Sequence, residues 1–281
     1  MTAHRSAGHA DRAEAELPPP RRIALPGATV ACWDAGGEGD PVVFLHAAWG
    51  SGEHWAPQLT SFRRAGLRPI AWSRRGHYGS DVGPAQPPPT ADDLDALADT
   101  LGLERFHLVG TAYGAFEATD YAIARGERLL SLTLACSLCG IADPDFVAET
   151  ARLVNDAWHQ LPIELRELSA SYRFTDPAGT EQWRRLTARA LTQRVEQPAL
   201  SRITRAAIAG IAAPTLFLTG SEDPYMPPPR MRALSEVRVA SRFEVIPEAG
   251  HSASWENPEA FDRAVLAHIA ATPQPGGRAL G

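Results

Sequence analysis

The sequence predicts an α/β fold: a mainly parallel, doubly wound sheet with helices on both faces and an inserted helical cap. Three observations predict it. Short apolar, β-branched runs alternate with stretches of helical spacing along most of the chain. Gly, Pro and Asp punctuate the joins between them. The rhythm stops between residues 141 and 208, where prolines and aromatics (Trp158, Tyr172, Phe174, Trp183) sit in helix-like segments without a clear strand. Strands joined through helices run parallel, because the chain must cross back over the sheet before the next strand begins.

The elements follow in order. Ala28–Asp34 and Pro41–His46 read as strands separated by the turn Gly36-Gly37-Glu38-Gly39-Asp40. Trp55–Ala65 has helical spacing, and Leu67–Trp72 is strand-like. Ala91–Leu101 reads as a helix after Pro87-Pro88-Pro89, with Thr90 as its N-cap. Phe106–Gly110 is a strand leading into a helix over Tyr113–Arg125, and Leu129–Ala135 is the next strand. Beyond the break come a strand at Thr215–Thr219, a helix at Met231–Val237, a strand at Arg242–Ile246 and a last helix at Pro258–Ala271. The domain expectation is a core over 21–140 and 209–272, the cap over 141–208, a disordered arm over 1–20 and a tail over 273–281.

Composition narrows the function classes. The chain has 281 residues, 44% of them hydrophobic, enough to bury a large core. A net charge of -6 gives no electrostatic reason to expect nucleic acid or an anionic membrane as a partner. All 27 basic residues are arginine. Without lysine there is no Walker lysine, no Schiff-base lysine and no lysine base. Three cysteines (Cys32, Cys136 and Cys139) suit a reducing compartment better than a disulfide framework. Residues 1–20 lack the apolar core of a secretory signal, and no apolar run reaches roughly 18 residues. The expectation is a cytoplasmic protein with a small-molecule substrate and no cofactor or metal. The Cys136-x-x-Cys139 pair has too few companions for a zinc site.

Four segments carry the chemistry. Val42–Ser51 is an apolar strand ending in His46-Ala47-Ala48-Trp49. Ser73-Arg74-Arg75-Gly76-His77-Tyr78-Gly79-Ser80 is a glycine-bearing turn after the following strand. Gly110-Thr111-Ala112-Tyr113-Gly114 joins a strand to a helix, with small residues placed to let the two pack closely. Leu216–Pro224 ends a strand at Asp223, and Pro247–Ser252 is a loop carrying His251. In this order the four resemble the α/β-hydrolase family. The resemblance covers roughly residues 25–135 and 213–270.

That resemblance implies roles. His251 is the base, Asp223 its orienter, and the N–H groups of Ala48 and Tyr113 form an oxyanion hole. His46, Trp49 and Trp158 are expected to face the substrate. Glu222, Asp143 and Asp145 compete with Asp223 for the acid's place, and Cys136 is a candidate substitute nucleophile. Ala112 stands where the family's Gly-x-Ser-x-Gly elbow carries its serine. An acyl-serine mechanism is therefore closed at that position. Three readings stay open. The first is a hydrolase acting on a small, mainly apolar carbonyl compound (an ester, a lactone or a carbon–carbon bond), with alanine replacing serine. The second is direct His/Asp base catalysis in a lyase, isomerase, cyclase or cofactor-free oxygenase. The third is a non-catalytic ligand-binding member of the fold.

Overall fold

A computed structural model describes residues 17–273. The expected arm up to residue 16 and the tail from residue 274 lie outside the described residues. Eight strands form one sheet: β1 (Arg21–Leu25), β2 (Ala28–Asp34), β3 (Pro41–Leu45), β4 (Arg68–Trp72), β5 (Phe106–Thr111), β6 (Leu129–Ala135), β7 (Thr215–Gly220) and β8 (Arg242–Ile246). Their spatial order is β1-β2-β4-β3-β5-β6-β7-β8. β3 to β8 run parallel, and β1 and β2 are antiparallel additions at one edge. β5, β6 and β7 are buried along their whole length, as befits central parallel strands covered on both faces, and their polar residues His107, Ser131 and Thr133 are buried with them.

Helices cover both faces and divide the core in two. One cluster packs Leu94, Leu97, Ala115, Ala118 and Tyr121 against the sheet. The other packs Trp55, Leu59, Phe62, Phe261 and Val265 against the opposite face. Between β6 and β7 the chain forms helices at Pro144–Leu153, Asp156–His159, Ile163–Glu167, Ala170–Thr175, Pro177–Ala190 and Arg205–Ala209. Among the described residues no helix is long and apolar enough to cross a membrane.

This topology decides where a site can form. From β3 the chain steps outward to β4, then returns to place β5 on the other side of β3. Loops leaving β3 and β5 therefore diverge, opening a crevice at the C-terminal ends of these two strands. Ala48 lies just beyond β3 and Ala112 just beyond β5.

Three local expectations are corrected. The helix expected to be capped by Thr90 begins at Thr90 itself, after an extended Pro89. The threonine hydroxyl donates instead to buried Glu117 Oε1 at 3.0 Å. The helix expected at Met231–Val237 runs over Pro228–Ser235, because Pro228 and Pro229 are well suited to a first helical turn. Strand β1 was unexpected; it pairs with β2 through a turn in which Gly27 takes φ 74°.

Candidate active site

Ala112 is the single residue between β5 and the helix Tyr113–Arg125, and it adopts φ 50°, ψ -115°. An L-residue in that conformation is strained, so the surroundings must hold it. They do so by close packing. A Cβ at Gly110 would fall 2.4 Å from the Gly114 carbonyl oxygen, and one at Gly114 would fall 2.3 Å from that of Leu45. Only glycine fits at either place. The Ala112 N–H donates to Ala135 O at 2.9 Å, and Ser137 Oγ donates to Ala112 O at 2.5 Å, pinning the elbow to the end of β6. Among the described residues, the N–H groups of Tyr113 and Ala48 have no backbone acceptor. For Tyr113 this is expected, since the first N–H groups of a helix lack intrahelical partners.

Asp223 follows β7 and His251 follows β8. His251 Nδ1 lies 3.0 Å from both Asp223 carboxylate oxygens. Asp223 is 2% exposed and also accepts from the N–H groups of Tyr225 and Met226 and from Thr219 Oγ1. Burial opposes its charge, but His251 and the N–H groups of Met226 and Tyr225 win and hold its carboxyl below the usual range. Nδ1 thus carries the proton given to Asp223, and Nε2 faces the other way. There, at 4.0 Å, lies Glu167 Oε2. Burial by itself would lower the His251 imidazole; the charges of Asp223 and Glu167 and the Asp223 hydrogen bond reverse that and raise it to about 9. Burial also pushes the Glu167 carboxyl up, partly offset by His251.

Ala112 and His251 open onto one cavity of about 540 Å³. Ala48, Trp49, Tyr113, Phe116, Cys136 and Leu138 contribute to its wall, and so do Arg166, Glu167 and Tyr225. Most of the wall is apolar, with charge confined to a few residues. Among the described residues no group of three or more His, Cys, Asp or Glu is arranged to hold a metal ion.

Other residues singled out by sequence are placed differently. Trp49 lines the cavity and is 41% exposed. His46 is buried, and both its ring nitrogens are used: Nδ1 is 2.8 Å from Ala47 O, and Nε2 accepts the Arg74 N–H at 3.1 Å. It braces the β3 loop and has no nitrogen left for a substrate. Trp158 stands one layer back, edge-on to Tyr225 at 5.7 Å, while its neighbour His159 lines the cavity. Cys136 reaches the wall, but burial pushes its thiol well up, opposite to what a nucleophile needs. Of the competing acids, Asp143 and Asp145 engage Arg205, and Glu222 accepts from Ser171 Oγ.

Sequence reading missed Glu167 and Tyr225. Tyr225 packs on His251 with ring centroids 4.3 Å apart and donates from its hydroxyl to Glu167 Oε1 at 3.2 Å. Glu167 ends a short helix of the inserted segment, in a Leu-Arg-Glu-Leu stretch that looks like any solvated helix. Nothing local marks it.

A model of the alpha/beta hydrolase family matches residues 42–264. The chain is 28% identical over 256 residues to BpoC of Mycobacterium tuberculosis, whose name assigns it to the non-heme bromoperoxidases; the match covers 85% of this chain and 97% of that one. It is 29% identical to a 2-hydroxy-6-oxononadienedioate/2-hydroxy-6-oxononatrienedioate hydrolase of Pseudomonas putida, over 83% of this chain and 88% of that protein. A thermophilic esterase from Thermogutta terrifontis superposes with a TM-score of 0.71 at 26% identity, covering 92% of this chain and 99% of the esterase. With an eight-stranded sheet, a strained strand-to-helix elbow and a matched family model over most of its length, this chain belongs to the alpha/beta hydrolase family and is an enzyme of that type.

Proposed function

We propose that the protein hydrolyses a small, mainly apolar carbonyl compound (an ester, a lactone or a carbon–carbon bond next to a ketone) by direct attack of water rather than through an acyl-enzyme. One observation carries this reading. The elbow keeps its strained φ 50° and its glycine packing, yet its tip presents the Ala112 methyl to the cavity shared with His251. A backbone held at such cost serves a site, and a methyl group cannot be acylated. Asp223 orients His251, and the N–H groups of Ala48 and Tyr113 stabilise the oxyanion. Trp49 and Phe116 suit an apolar substrate. The hydrolase and esterase relatives support carbonyl chemistry at this position in the fold. Free, buried cysteines accord with a cytoplasmic location.

A paired assay tests the proposal: the protein and its Ala112→Ser variant on aryl esters and lactones. Slow steady turnover by the natural chain, abolished by His251→Ala and lacking an acyl-enzyme burst, is the expected result. Turnover by the serine variant alone would sink the direct-water route.

A further inference from the structure

The residue facing His251 Nε2 is not a hydroxyl but a carboxylate. Glu167 Oε2 lies 4.0 Å away, too far for a direct hydrogen bond and close enough for one water to bridge. Its other oxygen accepts the Tyr225 hydroxyl, so Oε2 is the oxygen turned to Nε2. Although Glu167 comes from the inserted segment, its position is tied to the histidine loop. The Ser252 N–H donates to Glu167 O at 3.0 Å, and the Ser169 N–H donates to Glu256 Oε2 at 2.8 Å. At Gly250 a Cβ would fall 2.7 Å from Ser169 N, so the two backbones touch. A carboxylate stitched this firmly beside a reactive imidazole is preorganised.

We propose that Glu167 is a catalytic residue: its carboxylate takes the proton of the attacking water, and His251 Nε2 delivers a proton to the departing group. This rests on the direct-water reading above. For an ester the steps balance as follows. One water O–H bond breaks and its proton goes to Glu167 Oε2, while the water oxygen bonds to the carbonyl carbon. The carbonyl π pair moves onto its oxygen, facing the N–H groups of Ala48 and Tyr113. That pair then re-forms the carbonyl, and the bond to the leaving oxygen breaks with its electrons on that oxygen. The leaving oxygen takes the proton from Nε2. The proton on Glu167 finally passes to neutral His251 through a bridging water, restoring both groups. The charges around the pair suit this division. Asp223, Glu167 and Glu256 favour the imidazolium, while His251 and Arg166 favour the Glu167 carboxylate against its burial and Asp223.

The test is kcat/KM against pH for the full chain and its Glu167→Gln and Glu167→Asp variants on an alkyl ester, with thermal melts as a folding control. The natural chain is expected to show a bell, its acid limb from Glu167 and its alkaline limb from His251. Glu167→Gln should lower the plateau at least about 100-fold and erase the acid limb, with Glu167→Asp recovering part of both. In an Ala112→Ser background, where serine supplies the nucleophile, Glu167→Gln should cost far less, about tenfold. Turnover by Glu167→Gln within about threefold of the natural chain, with the same pH profile, overturns the assignment while leaving the direct-water reading intact. No turnover by the natural chain beside an active serine variant overturns both. If Glu167→Gln does not fold, Glu167→Asp decides: an unchanged acid limb and rate overturn the assignment.

Discussion

The turn after β4 and the group around His251 both bury charge near the C-terminal edge of the sheet, but they balance it differently. Arg75 meets Asp93 in a two-pronged pair, Nε–Oδ2 and Nη2–Oδ1 both 2.7 Å, and gives a further hydrogen bond to Pro26 O. Arg74 meets Glu117 at 2.6 Å, and Thr90 satisfies the other Glu117 oxygen. Each positive group there has one negative partner in contact. At the candidate site one imidazole faces two carboxylates, one at hydrogen-bond distance and one at 4.0 Å. The first arrangement neutralises each guanidinium with a carboxylate in contact, although Arg74 Nε and Arg75 Nη1 find no hydrogen-bond partner among the described residues, and it holds the loops that shape the crevice. In the second, Nε2 and a Glu167 carboxylate oxygen face each other at 4.0 Å with no direct hydrogen bond between them, which is where chemistry can enter.

This contrast can be broken by substitution, and the largest effect belongs to the group around His251. His251→Ala should lower kcat/KM for the proposed hydrolysis by about 10³–10⁴, worth roughly 4–5.5 kcal/mol in the barrier. Its stability loss near neutral pH should be on the order of 1–3 kcal/mol, because buried Asp223 loses its cationic partner while keeping Thr219 and two backbone donors. Wild-type turnover in that variant would remove His251 from the mechanism.

Next comes the Arg75–Asp93 pair. Asp93→Ala leaves the buried Arg75 guanidinium without its partner and should destabilise the fold by about 3–5 kcal/mol in urea unfolding. A cost below about 1 kcal/mol would show that Arg75 finds another partner and is not held by Asp93.

A smaller effect follows from pH. His251 is raised in the folded protein, so its contribution to stability is fully present below about pH 6.5 and is lost as pH rises through about 9. Across that window the stability of the natural chain should fall relative to His251→Gln by on the order of 1–3 kcal/mol. Parallel curves for the two proteins would contradict the raised imidazole.

The smallest effect tests the elbow. Ala112→Gly relieves a positive φ, worth about 1–3 kcal/mol, against an unfolded-chain entropy cost of about 0.4–1 kcal/mol. A net stabilisation near 1 kcal/mol is expected from thermal melts. Destabilisation would mean that packing of the Ala112 methyl outweighs the strain.

These outcomes bear on how much of the molecule was legible in advance. The elbow was, because its demand is local: Gly110 and Gly114 are the only residues that fit where helix meets strand. Asp223 and His251 were, because each follows a strand in a fixed chain order. Thr90 misled, since a threonine after prolines looks like a helix cap until Glu117, 27 residues on, accepts its hydroxyl. His46 misled for the same reason: its ring is used up by the backbone of a different loop, at Arg74.

By itself, the sequence determined the alternating strands and helices, the glycine-packed elbow with alanine at its tip, and the order in which Asp223 and His251 follow it. Those are properties of short segments, set by hydrophobic period and backbone sterics. The tertiary structure alone decided that β3 and β5 diverge to open the crevice, that Tyr225 packs on His251, and that Glu167 faces Nε2. The reason is physical. Glu167 has no local feature that distinguishes it from a solvated helix carboxylate; the backbone bond from Ser252 and the contact at Gly250 bring it there, and these exist only once distant segments have packed together.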